Sequence, residues 1–246
     1  MPPSFPGKRN LYKIDGTQSI PAATNISGKT IVDQLAEMGG TWKSYQDSLP
    51  PQGADTVNFS DGFYTNNTDF TKFKPALTPA LSISDVVALY AAKHNPFVYF
   101  RSVQEGEEPG SDLSNVVGFD GYNGLYADLR SGNVPAFSFI APNQCNDQHG
   151  RGNAGDTCNF DPNDNGTQAG LNPALMQRGD MALRQIVTVI KSSPVWRQGR
   201  NAIVVVRDEN DYSVAPITNQ VLAIVDTNYG SHGLQSAAPY NHFSRF

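Results

Sequence analysis

Apolar positions along this chain follow two patterns, helical spacing in some segments and unbroken runs in others. The clearest helical pattern starts after Asn172, where Met176, Leu183, Ile186, Val187 and Ile190 share one face. Asn172 is the expected cap, and Pro173 takes the first helical position, where its missing N–H has no partner to lose. A second helix is expected in "SGKTIVDQLAEMGG", with Ser27 as cap, Ile31, Leu35 and Met38 on one face, and Gly39 and Gly40 as the stop. "SISDVVALYAAKHNPF" predicts a third, capped by Ser84, carrying Val87, Tyr90 and Ala91, and ended by Pro96. "GFDGYNGLYADLRSGN" predicts a short fourth.

The unbroken apolar runs are "AIVVV" at 202–206, "VLAIV" at 221–225 and "VPAFSFIAP" at 134–142, with "TWKSYQ" and "VYF" as shorter strand candidates. Continuous apolar strands alternating with helices are what a parallel sheet covered on both faces requires, so the expected class is α/β with buried strands. Residues 1–26 show no periodicity and read as an irregular arm. Residues 47–82 are polar and Pro-spaced, a long surface excursion. With no internal repeat and no composition break, residues 1–246 are expected to form a single domain.

In such folds ligands gather beyond the carboxyl ends of the strands. That rule draws notice to Asp208 and Glu209, which follow the 202–206 run, and to Asn143, Asn146, Asp147 and His149, which follow the 137–140 run. Adjacent carboxylates at a sheet rim repel each other unless a divalent cation offsets the repulsion. A solvated acidic turn with Arg207 as counter-ion is the alternative, and spacing alone favours the turn. An amide and an imidazole at a rim can orient an anion, and a histidine can protonate a leaving oxygen; the same residues also make an ordinary polar turn. His94, His232 and His242 read by themselves as loop histidines. "DPNDNG" at 161–166 matches the opening of a calcium loop, but its twelfth position is Asn172 instead of a bidentate Glu, which favours a plain Asx-rich loop.

Composition narrows the field. The chain has 246 residues, 39% of them hydrophobic, enough for a sizeable core. The net charge is −5 and no Lys/Arg block occurs, which excludes a nucleic-acid partner. There is no run of 18 apolar residues to span a membrane, and the opening "MPPSFPGKRNLYK" shows no signal-peptide core. Cys145 and Cys158 share one polar segment, where a loop-closing disulfide or two reduced thiols are both allowed.

Five blocks, "TIVDQLAEMGGTWKSYQDSLP", "YAAKHNPFVYFRSV", "FSFIAPNQCNDQHG", "RGDMALRQIVTVIKSSPVWRQGRNAIVVVRDENDYS" and "YNHFS", occur in the order seen in the phosphoesterase family. The chain thus resembles acid phosphatases and non-haemolytic phospholipase C enzymes, of the alkaline-phosphatase-like superfamily. The resemblance implies a three-layer α/β/α sandwich with a mainly parallel central sheet, and an extracellular or periplasmic hydrolase of phosphate esters that works through a phosphoryl-enzyme. It implies one divalent metal ion held by Asp208 and Glu209, His149 as a catalytic residue facing the phosphate, and Asn143 and His94 as substrate-binding residues. No amphipathic helix with a basic face is visible, which favours small soluble esters over phospholipid.

In the family, a Glu-Asn metal segment and the hydroxyl nucleophile precede the first block. Here nothing upstream spells Glu-Asn, and Thr17 and Ser19 are hydroxyls without a nucleophile motif around them. The expectation is a partial domain whose N-terminal part is missing. Its function is then either phosphate-ester hydrolysis or, without the nucleophile, metal or phosphate binding alone.

Overall fold

In the computed structural model, which describes residues 26–49, 90, 94–148, 173–207, 221–236 and 238, the first helix starts from Thr30 and not from Ser27. Helix α1 (Ile31–Glu37) opens with a capping box: Thr30 Oγ1 accepts from the Asp33 N–H at 3.2 Å, and the Asp33 carboxylate accepts from the Thr30 N–H at 2.8 Å. Asp33 is buried and also accepts from the hydroxyls of Ser102 (2.7 Å) and Ser111 (2.9 Å). This polar hub sets the rotation of the short helix. Val32 faces the core, whereas Ile31 and Met38, expected on the inner face, are 65% and 78% exposed.

Strand β1 (Trp42–Gln46) lies between β2 (Val116–Gly118) and β3 (Phe137–Ala141), parallel to both, with Tyr45 opposite Val117 on one side and Ile140 on the other. The connection to β2 carries helix α2 (Arg101–Glu105), and helix α3 (Leu125–Ser131) links β2 to β3. Gly132, at φ +78°, ends α3 in the left-handed conformation, and its N–H donates to Asp128 O at 2.9 Å. "VYF" is not a strand. Pro96 opens a 3-10 turn (Pro96–Tyr99), a start for which its fixed φ and absent N–H suit it, and only Phe100 makes an isolated parallel bridge, to Ile26.

Side-chain alternation along β1 feeds two cores, one on each face of the sheet. Trp42 packs with Val32, Phe97 and Val103; its ring lies 5.2 Å from that of Phe97, which meets Phe139 edge-on at 5.4 Å. Tyr45 packs with Val117, Phe119, Leu125, Leu129 and Ile186 on the other face. The Tyr45 hydroxyl donates to the buried Asp128 carboxylate at 2.6 Å, and Lys43 pairs with the same oxygen. For this three-stranded sheet and its helices the parallel α/β class therefore holds.

Helix α4 (Pro173–Ser192) is the helix expected to open at Pro173, 20 residues long, with Ile186 buried against the second core. Beyond α4 the chain departs from expectation. Strand β4 (Ala202–Val205) pairs antiparallel with β5 (Ile224–Thr227) in a separate two-stranded sheet, Ala202 opposite Thr227 and Val205 opposite Ile224. It is not a central parallel strand, and Val204 and Val225 are 53% and 57% exposed. The second strand also begins three residues later than the 221–225 run implied. Polar braces explain the placement: Asn201 Nδ2 donates to Val195 O (2.9 Å), Asn228 Nδ2 to Trp196 O (2.6 Å), and Lys191 pairs with Asp226 (2.8 Å). These fasten the ribbon to the end of α4. Among the described residues no helix is long and apolar enough to cross a membrane.

Candidate active site

The three parallel strands bring their carboxyl ends to one rim. Asp47 follows β1, Phe119 and Asp120 follow β2, and Pro142 follows β3; with Tyr126 of α3, Asn146, and Ala182, Gln185 and Ile186 of α4 they line a cavity of about 220 Å³. This is the location that parallel topology assigns to ligands. Burial, and then the charges of Asp47 and Asp120, raise the Tyr126 phenol above its ordinary pKa of 10.0. Tyr126 is accordingly a neutral O–H at the cavity wall, its ring edge-on to Phe119 at 5.9 Å.

The loop after β3 is held from several sides. The Asp47 N–H donates to Ala141 O at 3.0 Å, and Asp47 Oδ2 accepts from Asn146 Nδ2 at 2.9 Å and from the Asn143 N–H at 3.3 Å. Asn143 is buried; its Nδ2 donates to Ser48 Oγ at 2.8 Å, and its Oδ1 accepts from the Cys145 N–H at 3.0 Å, an Asx turn. Ser48 sits at φ 58°, a left-handed backbone uncommon for a side chain of its kind. From α4, Arg178 Nε donates to Asn146 Oδ1 at 3.1 Å. Gly179 allows the helix to approach, since a Cβ there would meet Gln148 Cγ at 2.2 Å and Asn146 O at 3.1 Å. Cys145 is fully buried and disulfide-bonded.

His94 reaches the rim from the opposite face of β1. Its backbone oxygen accepts from Gln46 Nε2 at 3.5 Å, while Asn95 accepts from Ser44 Oγ at 3.0 Å and donates to the Tyr90 hydroxyl at 3.2 Å. Its Nδ1 lies 3.9 Å from Asp147 Oδ2, which ties His94 to the loop that carries Asn143. His149, Asp208, Glu209 and Cys158 lie outside the described residues, as do Thr17, Ser19, His242 and the 161–166 loop. Their flanks meet nonetheless. Arg207, expected as a counter-ion of the acidic turn, donates to the side-chain oxygen of Gln148, joining the residue before Asp208 to the residue before His149.

Sequence reasoning passed over Asp47, Asp120, Tyr126, Gln46 and Asn95. The signal available for Asp47 was its place directly after a strand candidate, but its partners are 96 and 99 positions away. Among the described residues no three His, Cys, Asp or Glu side chains stand together as a metal donor set. What they do supply is a rim of amide, hydroxyl and imidazole groups, with a carboxylate fixing the loop that presents them.

Comparison with known proteins finds relatives among acid phosphatases. The chain is 29% identical over 140 residues to a probable acid phosphatase of Kluyveromyces lactis, covering 57% of this chain and 26% of that protein. It is 29% identical over 136 residues to an acid phosphatase of Aspergillus fumigatus, covering 55% and 23%, and 30% identical over 95 residues to a phosphate-repressible acid phosphatase of Penicillium chrysogenum, covering 39% and 21%. The matched segment thus spans about a quarter of the length of these relatives. No solved structure gives a significant match. The model of the Phosphoesterase family matches residues 7–158, well over half of the chain, and the chain belongs to that family.

Proposed function

We propose that this chain carries the phosphate-ester-hydrolysing site of an acid-phosphatase-like or phospholipase-C-like phosphoesterase, built on an alkaline-phosphatase-like α/β/α sandwich. The observation that carries the proposal is the contact of Arg207 with Gln148, which brings together the flanks of the two segments expected to hold the chemistry. In this proposal Asn143 and His94 bind the phosphoryl oxygens, and His149 donates to a phosphoryl or leaving-group oxygen. Anionic phosphoryl oxygens repel an incoming nucleophile until donors neutralise them, so fixed N–H groups at the rim lower the barrier. Asn143 suits this role because its amide is immobilised by Ser48 and by its own Asx turn.

Asp208 and Glu209 are proposed to ligate one divalent metal ion, which would supply further charge neutralisation when bound. Among the described residues no three His, Cys, Asp or Glu side chains form a donor set, so these two carboxylates would be its core. The disulfide at Cys145 supports export to an extracellular or periplasmic compartment, where such bonds persist.

The test is hydrolysis of p-nitrophenyl phosphate and p-nitrophenyl phosphorylcholine by the purified chain between pH 5 and 8, with chelator and with added divalent cations. Turnover that depends on metal and disappears in Asp208→Ala is the expected result. A folded chain that binds metal and inorganic phosphate without turnover would instead identify a binding module lacking its nucleophile.

A further inference from the structure

We infer that the cavity at the strand ends takes a primary ammonium group, so that the esters this site accepts are phosphates of small amino alcohols. As a statement about esters, this inference rests on the proposed function.

The enclosed space marks the site, and its walls say what enters it. Asp47 and Asp120 both line the cavity, and among the described residues no Lys, Arg or His does. Both carboxylates raise the Tyr126 phenol, so they converge on one space instead of facing apart. An anion entering there meets two like charges, whereas a cation gains from both, the more so beside the apolar walls of Phe119 and Ile186. Asp47 Oδ2 is already engaged by Asn143 and Asn146, so Asp47 contributes mainly charge. The Asp120 carboxylate and the Tyr126 hydroxyl hold no hydrogen bond among the described residues, and both oxygens can accept from an ammonium N–H.

Other cations fit less well. A trimethylated ammonium has no N–H to give and calls for a cage of aromatic faces, but of the two rings in the lining Phe119 is buried. A divalent metal ion needs a denser donor set, and no three His, Cys, Asp or Glu side chains stand together among the described residues. At about 220 Å³ the cavity is smaller than the roughly 300–1,000 Å³ of sites for drug-sized ligands, which suits a short amino alcohol.

The experiment uses the full chain, with Asp120→Asn and Tyr126→Phe; Asp120 is exposed, so its substitution does not disturb a core. Ethanolamine and choline are titrated separately while amide shifts are followed. Values of kcat/KM are compared for phosphoethanolamine, phosphocholine and ethyl phosphate, which lacks the ammonium. Ethanolamine is expected to shift the amides of Asp120, Tyr126 and Gln185, to bind more tightly than choline, and to bind about tenfold more weakly to Asp120→Asn. The preference for phosphoethanolamine over ethyl phosphate should fall by a similar factor in Asp120→Asn and by less in Tyr126→Phe. Choline binding as tightly as ethanolamine overturns the inference, as does a preference that Asp120→Asn leaves unchanged. Absence of turnover for all three esters would overturn the proposed hydrolysis, while the ethanolamine titration still decides what the cavity takes.

Discussion

Asp47, directly after β1, accepts a hydrogen bond of 2.9 Å from Asn146 Nδ2, in the loop after β3, so a single carboxylate ties together the carboxyl ends of two neighbouring parallel strands. The same oxygen accepts from the Asn143 N–H, and the Asp47 N–H returns a bond to Ala141 O. The loop carrying the substrate-binding candidates is therefore positioned by the sheet itself.

Asp47→Ala is expected to lower stability by about 1–3 kcal/mol, because the Asn143 N–H and the Asn146 amide lose their acceptor near the protein interior. Chemical denaturation checks this. Hydrolysis of p-nitrophenyl phosphate should fall further than stability alone explains, since the loop loses its register against β1. Activity equal to that of the unsubstituted chain would show that the tie does not position the site.

Gly179→Ala tests the approach of α4. The new methyl group would meet Gln148 Cγ at 2.2 Å and, less yieldingly, the Gln148 N at 3.0 Å and Asn146 O at 3.1 Å. A destabilisation of about 1–3 kcal/mol is expected from the overpacking, with a displaced loop visible as changed amide shifts for residues 143–148. Unchanged shifts and unchanged stability would mean that the helix has room to move away.

Asp33 predicts an acid-sensitive fold. Burial raises its pKa, but the bonds from the Thr30 N–H, Ser102, Thr30 Oγ1 and Ser111 outweigh burial and hold it below its ordinary 3.8. Its folded pKa being depressed, its contribution to stability is fully present above 3.8 and is lost as pH falls from there through the folded value. Asp33→Asn should therefore destabilise the protein by about 2 kcal/mol at neutral pH, with the gap narrowing as the medium is acidified below that value. Denaturation curves of both proteins at several acidic pH values measure the gap, and a constant gap would contradict the assignment.

Tyr45 gives the opposite dependence. Burial, together with the hydrogen bond to Asp128 and its charge, pushes the phenol far above its ordinary pKa of 10.0. A folded pKa raised above the unfolded one means stability that is present below pH 10.0 and declines as pH rises beyond it. Tyr45→Phe should lose about 1–2 kcal/mol at neutral pH, as a buried carboxylate loses a donor, and should show a shallower alkaline decline. Equal alkaline slopes in the two proteins would place the decline in other groups.

The sequence by itself determined the elements whose cause is local. Helix α4 was legible in apolar spacing and Pro173, β3 in an apolar run and β1 as a short strand candidate; the family could be recognised from five ordered blocks of residues. The place of Asn143 just after a strand end was legible for the same reason. Only the tertiary structure decided which strand accompanies β4, because an apolar run records that a strand wants cover and not which neighbour supplies its hydrogen bonds. Asn201 and Asn228 made that choice through bonds to the turn after α4, and left Val204 half in water. It likewise decided that Thr30 caps α1, since the bonds of Asp33 to Ser102 and Ser111 join residues 69 and 78 positions apart. Asp47, Gln46, Asn95 and the pairing of Asp147 with His94 belong to the same category. Each acts on a group roughly 50 to 100 positions distant, and contacts over that range come from the closure of the sheet and leave no period in the chain.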